Sequence, residues 1–302
     1  MLTIFTPTKN RGYIIHKCYE SLCRQSNNDF IWLVVDDGSN DNTEEVINSF
    51  ISERKIEIVF LRQKNGGKHV AHNTGVLNCK TDIFVCVDSD DYLSDNAVQV
   101  IYDNWKEVAE DDSLAGILAL KGEILNKSSR SCLPKNIERT SIMDLYEKYN
   151  FIGETILVFK TSILKQYLFP VFEGEKFVTE AVVYDQISRK YKMKLLNKIL
   201  YLYEYLDDGY SKNILSFYRE NPKGYMFFYK QRIELAKGFK ENYNAVSRYI
   251  AAFLTIKDIT SFRNCEYKFL GIICIPNGVW IYLKPIIKKQ LIKYKLMKDI
   301  KS

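Results

Sequence analysis

The sequence predicts an α/β fold, with a mostly parallel central sheet flanked by helices and a C-terminal helical extension. Two observations predict it. Short apolar runs alternate with segments of helical spacing through the first third of the chain, the pattern of strand–helix crossover units. Three of those apolar runs stop at polar clusters, and in parallel sheets ligands bind outside the carboxyl ends of the strands.

The elements follow in order. Leu2-Thr3-Ile4-Phe5 reads as a strand ending at Thr6-Pro7-Thr8. Residues 12–26 place Ile14, Ile15, Cys18 and Leu22 at helical spacing. Residues 31–35 are a continuous apolar run, as expected for a strand covered on both faces, and stop at Asp36-Asp37-Gly38-Ser39. Asn42 followed by Glu45 reads as a capping pair, with Val46, Ile47, Phe50 and Ile51 facing inward. Residues 56–61 form a third strand, residues 65–79 a loop and helix, and residues 83–87 a fourth strand that ends at Asp88-Ser89-Asp90-Asp91. Beyond Ala115 the pattern loosens. Strands are expected at 116–120, 155–159 and 195–205, and helices at 141–149, 178–191 and 214–262. The change to helical pattern puts a boundary near 212. A domain 1–212, with halves 1–110 and 111–212, then precedes a helical region 213–302.

Composition bounds the function. The chain has 302 residues, 46% hydrophobic and 26% charged, which describes a globular protein with a core and excludes a disordered chain. Net charge is +6, and residues 284–302 alone hold seven Lys and one Asp. The body is therefore near neutral, which argues against nucleic acid, while a basic tail suits an anionic membrane surface. The seven Cys are odd in number and form no CxxC pair, so reduced thiols in a cytosolic protein are expected. The N-terminus enters a strand directly, and no signal peptide is expected.

Asp88-Ser89-Asp90-Asp91 carries the chemistry. Three carboxylates within four residues repel one another and are costly to desolvate without a cation. An all-oxygen set suits Mg²⁺ or Mn²⁺. A solvated loop before a helix cap at Asp95-Asn96 is the plainer alternative. Asp36-Asp37-Gly38-Ser39 reads either as a turn or as a carboxylate placed for a base N–H or ribose hydroxyl. Asn65-Gly66-Gly67-Lys68-His69-Val70-Ala71-His72-Asn73-Thr74-Gly75 combines glycines, a lysine and two histidines before a helix. Backbone N–H groups at a helix start, with a cation nearby, suit a diphosphate.

In this order and spacing the motifs resemble glycosyltransferase family 2, the inverting enzymes of the GT-A fold. The resemblance is strong over residues 1–110 and weaker to 212. It implies that Thr6, Pro7, Thr8 and Arg11 line a nucleotide pocket and that Asp37 meets the uracil edge of a UDP-sugar. It implies that Gly67, Lys68, His72, Asn73 and Ser89 lie along the ribose-diphosphate. Asp88 would contact ribose or metal, and Asp90 would hold the metal, Mn²⁺ or Mg²⁺. The family also uses a carboxylate base opening a helix in its second half. Here Glu180 fits that place, with Glu173, Glu175 and Asp185 as rivals. This chain departs from the family pattern at Lys9-Asn10, at His72 where arginine is frequent, and at Ala181 where aspartate stands.

The implied activity is transfer of a sugar from a nucleotide-diphosphate sugar to a glycan acceptor, lipid-linked, in cell-surface polysaccharide synthesis. Asp207-Asp208-Gly209-Tyr210-Ser211 resembles a family segment closing over the diphosphate, or is a plain turn. Residues 269–283 are apolar but short and broken by Pro276-Asn277-Gly278, so they are not expected to span a bilayer. The basic segment beyond them, with Ile286, Ile287, Leu291, Ile292, Tyr294 and Leu296 interleaved, suits the membrane interface. A cytoplasmic protein peripheral to the inner face of the plasma membrane follows. Two other classes fit less well. A sugar-nucleotide pyrophosphorylase would want a glycine-rich loop after the first strand, where this chain has one glycine. An inactive scaffold of the same fold is disfavoured by Asp37, Asp88, Asp90 and Glu180.

Overall fold

The computed structural model describes residues 1–123, 132–204, 216–256 and 268–299. Strands β1 (Leu2–Thr8), β2 (Phe30–Asp36), β3 (Glu57–Arg62) and β4 (Ile83–Cys86) form a parallel block in the order β3-β2-β1-β4. Helices α1 (Ile15–Cys23), α2 (Thr43–Glu53) and α3 (Lys68–Asn78) make the connections. All seven residues of β1 are buried, as a strand covered on both faces requires. Trp32 of β2 packs on Tyr19 of α1, which stacks on Phe50 of α2 with ring centroids 4.0 Å apart. On the other side α3 presses close to β1: a Cβ on Gly75 would come within 2.4 Å of the Phe5 ring.

Beyond β4 the direction alternates. β5 (Tyr92–Leu93), α4 (Ala97–Glu110), β6 (Leu114–Glu123), β7 (Arg139–Thr140) and α5 (Ile142–Glu147) follow in the chain. Then come β8 (Thr155–Lys160), α6 (Thr161–Leu164), α7 (Ala181–Ser188) and β9 (Lys192–Tyr203). Among the described residues the sheet has nine strands and continues from β4 as β8-β6-β9-β5, with β7 paired to β9. β8 runs antiparallel to β4 and β6, and β9 runs parallel to β6. The sheet is parallel where the sequence alternates regularly and mixed where it does not.

Two local expectations change. β1 continues through Thr6-Pro7-Thr8, with Pro7 opposite Val35 and Thr8 opposite Asp36. Proline has no N–H to give a ladder. The carbonyl of Phe5 faces the β4 side, accepting from Val87, whereas that of Thr8 faces β2, accepting from Asp37. Alternation puts Pro7 on the β4 side, where pairing ends at Phe5 and Cys86. The Asn42 cap is not made. Asp41 Oδ1 instead accepts from the backbone N–H of Thr43 at 3.1 Å and from its hydroxyl at 2.5 Å.

The chain divides into two compact units, Met1–Phe169 with Val183–Gly209, and Pro170–Val182 with Tyr210–Ser302. The second contains α8 (Pro222–Leu235), α9 (Phe239–Ile256) and α10 (Lys268–Asp299). Helix α10 runs on for 32 residues with Pro276 and Pro285 inside it, so the expected break at Pro276-Asn277-Gly278 does not occur. A proline removes one helical hydrogen bond and crowds the preceding turn, and packing against α9 holds the helix through it. No described helix is long and apolar enough to cross a membrane. The Asp207-Asp208-Gly209-Tyr210-Ser211 segment lies outside the described residues.

Candidate active site

The ends of β1, β2 and β4 meet at one edge of the sheet, together with the start of α3. Each polar cluster is held by bonds that reach across to another. The turn after β2 closes on itself: Asp36 Oδ1 accepts from the Ser39 backbone N–H at 3.0 Å and from its hydroxyl at 2.5 Å. The Ser39 hydroxyl oxygen then accepts from the backbone N–H of Asn10 beyond β1. Gly38 has φ +75°, the left-handed region that favours glycine.

Asp37 is buried, and its carboxylate holds the loop before α3. Oδ1 accepts from Gly66 N–H at 2.8 Å and from Gln63 Nε2 at 2.8 Å, and Oδ2 accepts from Gly67 N–H at 2.7 Å. A carboxylate has about four acceptor sites, so these three bonds leave one for a ligand. The N–H groups of Gly66 and Gly67 are thereby engaged by Asp37.

The acidic turn follows β4. Lys68, the first residue of α3, pairs with Asp88 at 2.7 Å, and Arg11 lies 3.8 Å from Asp90. Tyr201 of β9, 1% exposed, ties the two ends of the turn together. Its hydroxyl accepts from the backbone N–H of Asp88 at 3.1 Å and donates to Asp91 Oδ2 at 2.7 Å. Lys121 of β6 sits 3.9 Å over the Tyr201 ring.

The three carboxyls respond differently. Burial pushes Asp88 up, but the Lys68 ammonium, with Lys121 and Arg11, outweighs it, and the group lies below its ordinary value. Burial and then the Asp88 charge raise Asp90. The same two causes push Asp91 up to about 7. Beneath the cluster, Cys18 is fully buried and burial raises its thiol to about 12, so it is not a nucleophile.

The other expected residues have the following surroundings. The Thr6 hydroxyl accepts from Trp32 Nε1 at 2.9 Å inside the core. Thr8 Oγ1 is buried at the end of β1 with no hydrogen-bond partner among the described residues. His72 is 7% exposed and meets the rings of Phe5, Phe84 and Phe169 edge-on, with centroids 5.6, 5.6 and 5.1 Å away. Asn73 clamps the backbone of Phe169, donating from Nδ2 to its carbonyl and accepting at Oδ1 from its N–H, both at 2.9 Å. These two residues pack and anchor. Pro7 is buried in β1, and Ser89 is buried in the acidic turn.

Glu180 is exposed, directly before α7, in the second unit. Of its rivals, Glu175 caps α8: its carboxylate accepts from the backbone N–H groups of Lys223 at 2.7 Å and Gly224 at 2.8 Å. Negative charge at a helix start is stabilising, which gives Glu175 a structural use. Glu173 is exposed in the second unit, and Asp185 is buried on α7 in the first.

Asp88 and Asp90 supply the hard oxygen donors that Mg²⁺ or Mn²⁺ accepts, one or two carboxylates with the rest from a substrate's phosphates. Burial first, and the Asp88 charge after it, raise Asp90 and Asp91, and a nearby cation would offset both. Among the described residues no three His, Cys, Asp or Glu converge as a cage, so a site built here needs ligands from the substrate. The residues fit the group on those terms.

The sequence profile of glycosyl transferase family 2 matches residues 3–169, more than half of the 302. The chain belongs to glycosyl transferase family 2. Relatives agree. The glycosyltransferase GlyG of Streptococcus pneumoniae serotype 4 is 28% identical over 107 residues, 35% of this chain and 36% of that protein. The hyaluronan synthase of Pasteurella multocida is 26% identical across 97% of this chain, which spans 30% of the synthase. The chain thus spans about a third of these relatives' length. Two solved structures share the GT-A fold. S. aureus TarS 1-349 in complex with UDP-GlcNAc has a TM-score of 0.59 and 16% identity, covering 93% of this chain and 81% of that one. The mannosyltransferase PcManGT of Pyrobaculum calidifontis, in complex with GDP-Man and Mn²⁺, has a TM-score of 0.55 and 14% identity, covering 98% and 84%.

Nothing in the sequence singles out Tyr201, Lys121 and Gln63. Tyr201 stands 110 positions from Asp91 in an apolar run, with no local signal to set it apart from the other strand tyrosines.

Proposed function

We propose that this chain is an inverting glycosyltransferase that moves a hexosyl group from a UDP-sugar to a glycan acceptor, lipid-linked, in cell-surface polysaccharide synthesis. The observation that carries the reading is the acidic turn at the end of β4, with Lys68 on Asp88 and Arg11 beside Asp90. This edge holds cations and carboxylates side by side, as a site for a substrate diphosphate needs.

A divalent metal on Asp90 and Asp88, Mn²⁺ or Mg²⁺, would neutralise charge developing on the departing diphosphate. Lys68 and Arg11 add positive charge at the same edge, where it stabilises the leaving group. Asp37 keeps one acceptor site for the uracil N–H. Glu180 is the general base. It takes the proton of the acceptor hydroxyl as that oxygen bonds to the anomeric carbon, while the carbon–oxygen bond to the diphosphate breaks, inverting the centre. The UDP-GlcNAc in the TarS complex supports the donor class, and the hyaluronan synthase relative supports a polysaccharide product. The basic segment 284–302 supports contact with the inner face of the plasma membrane, where a lipid-linked acceptor is met.

A donor screen scored by released nucleoside diphosphate tests this, with Asp90→Ala as the control. The reading expects one UDP-sugar to be turned over by the wild type and not by the variant. Equal turnover by both, or consumption of no donor, overturns it.

A further inference from the structure

Helix α10 is built inside out. Its small residues face the protein and its large apolar ones face away. Gly271, Cys274 and Gly278 are buried; the Cys274 thiol lies 3.7 Å from the Tyr243 carbonyl of α9. A Cβ on Gly278 would come within 2.6 Å of Ile250. The opposite face carries Ile272, 67% exposed, and Trp280, 55% exposed, with Ile275, Leu283 and Ile287 also exposed. At about 100° per residue these five fall on one side of the helix. Arg219 fixes the helix further, donating to the Tyr282 carbonyl at 2.8 Å. An exposed apolar stripe that includes an indole is not a surface that water favours.

Charge says what covers it. The stripe runs into residues 284–302, which hold seven Lys and one Asp. A second copy docked on this face would bury the stripe but bring no counter-charge for those seven lysines, since its own segment is equally basic. A layer of acyl chains under anionic headgroups answers both features at once: the apolar side chains bury, the lysines pair, and indole rings favour that depth.

We propose that α10 lies in the plane of an anionic lipid surface, with the Ile272, Ile275, Trp280, Leu283 and Ile287 face set among the headgroups. The helix does not cross, since no described helix is long and apolar enough to do so. This deepens the membrane contact proposed above and rests on that part of the reading. It is independent of the transfer chemistry, because donor turnover is read in solution without vesicles.

The test is flotation of the full chain with phosphatidylcholine vesicles, alone and mixed with phosphatidylglycerol. The chain should float with the mixed vesicles only, and added salt should release it. Trp280→Glu and Ile272→Glu, both at exposed positions, should each weaken partition by about tenfold or more. Their melting temperatures and UDP-induced thermal shifts should match the wild type. Failure to float with either vesicle overturns the proposal, as does equal flotation with both. Unchanged partition of both variants also overturns it, because the basic tail alone would then be the anchor. A dimer in sedimentation equilibrium that Trp280→Glu dissociates, with no flotation, assigns the face to a second copy instead.

Discussion

The hydroxyl of Tyr201 donates to Asp91 Oδ2 at 2.7 Å while accepting from the backbone N–H of Asp88. One atom on β9 therefore sets the shape of the whole acidic turn. It also gives Asp91 a use: its carboxyl anchors the turn from below.

Tyr201→Phe should remove both bonds and leave a buried carboxyl without that donor. A cost of about 1–3 kcal/mol in stability is expected. The turn would loosen, so the donor KM should rise more than kcat falls. Denaturant melts and initial-rate kinetics check this. A variant with wild-type stability and KM would show that the turn holds its shape without the phenol.

Metal removal should separate the carboxylates by role. EDTA should abolish nucleoside diphosphate release, and Mn²⁺ or Mg²⁺ should restore it in the wild type but not in Asp90→Asn. UDP should raise the melting temperature only with metal present, in proportion to saturation. Full turnover in EDTA would remove the metal from the site.

Burial holds the His69 imidazole below its ordinary value, and the Asp37 charge only partly offsets this. Both ring nitrogens lack hydrogen-bond partners among the described residues. The folded chain therefore keeps His69 neutral where the unfolded chain takes a proton. Its contribution to stability is fully present above pH of about 6.5 and is lost as pH falls below it. Stability measured from pH 7 to 5 should fall more steeply for the wild type than for His69→Phe. Parallel slopes would mean that His69 is protonated within the fold.

Asn73→Ala should cost about 1–3 kcal/mol, because it frees the Phe169 carbonyl and N–H at a half-buried place. Urea unfolding reads the change. If Asn73 also bound the donor, affinity for UDP would drop beyond what stability explains; equal UDP affinity is the outcome expected of a clamp.

Much of the fold was legible because the parallel block is built from local signals. The apolar run at residues 31–35 is a buried strand, and the Asp36 and Asp88 clusters mark the ends of β2 and β4. The mixed half was harder. β5 and β7 have two residues each and exist only through pairing with β9, which no local pattern encodes. The site divides the same way. Motif order singles out Asp88, Asp90, Lys68 and Arg11, and the structure brings Lys68 to Asp88 and Arg11 to Asp90. His72 and Asn73 stand in the right stretch, but helical geometry turns them to Phe169, 96 positions from Asn73. The continuity of α10 through Pro276 was hidden for the same reason, since its support comes from α9.

The Asp37 carboxylate does for the Gly66-Gly67 turn what a bound oxyanion does for a phosphate-cradling nest. It is a resident surrogate anion, seated by three hydrogen bonds. A free inorganic phosphate reaching that turn would have to evict a carboxylate that is covalently tethered and already in place. At that point a small oxyanion meets competition from a side chain of the protein itself.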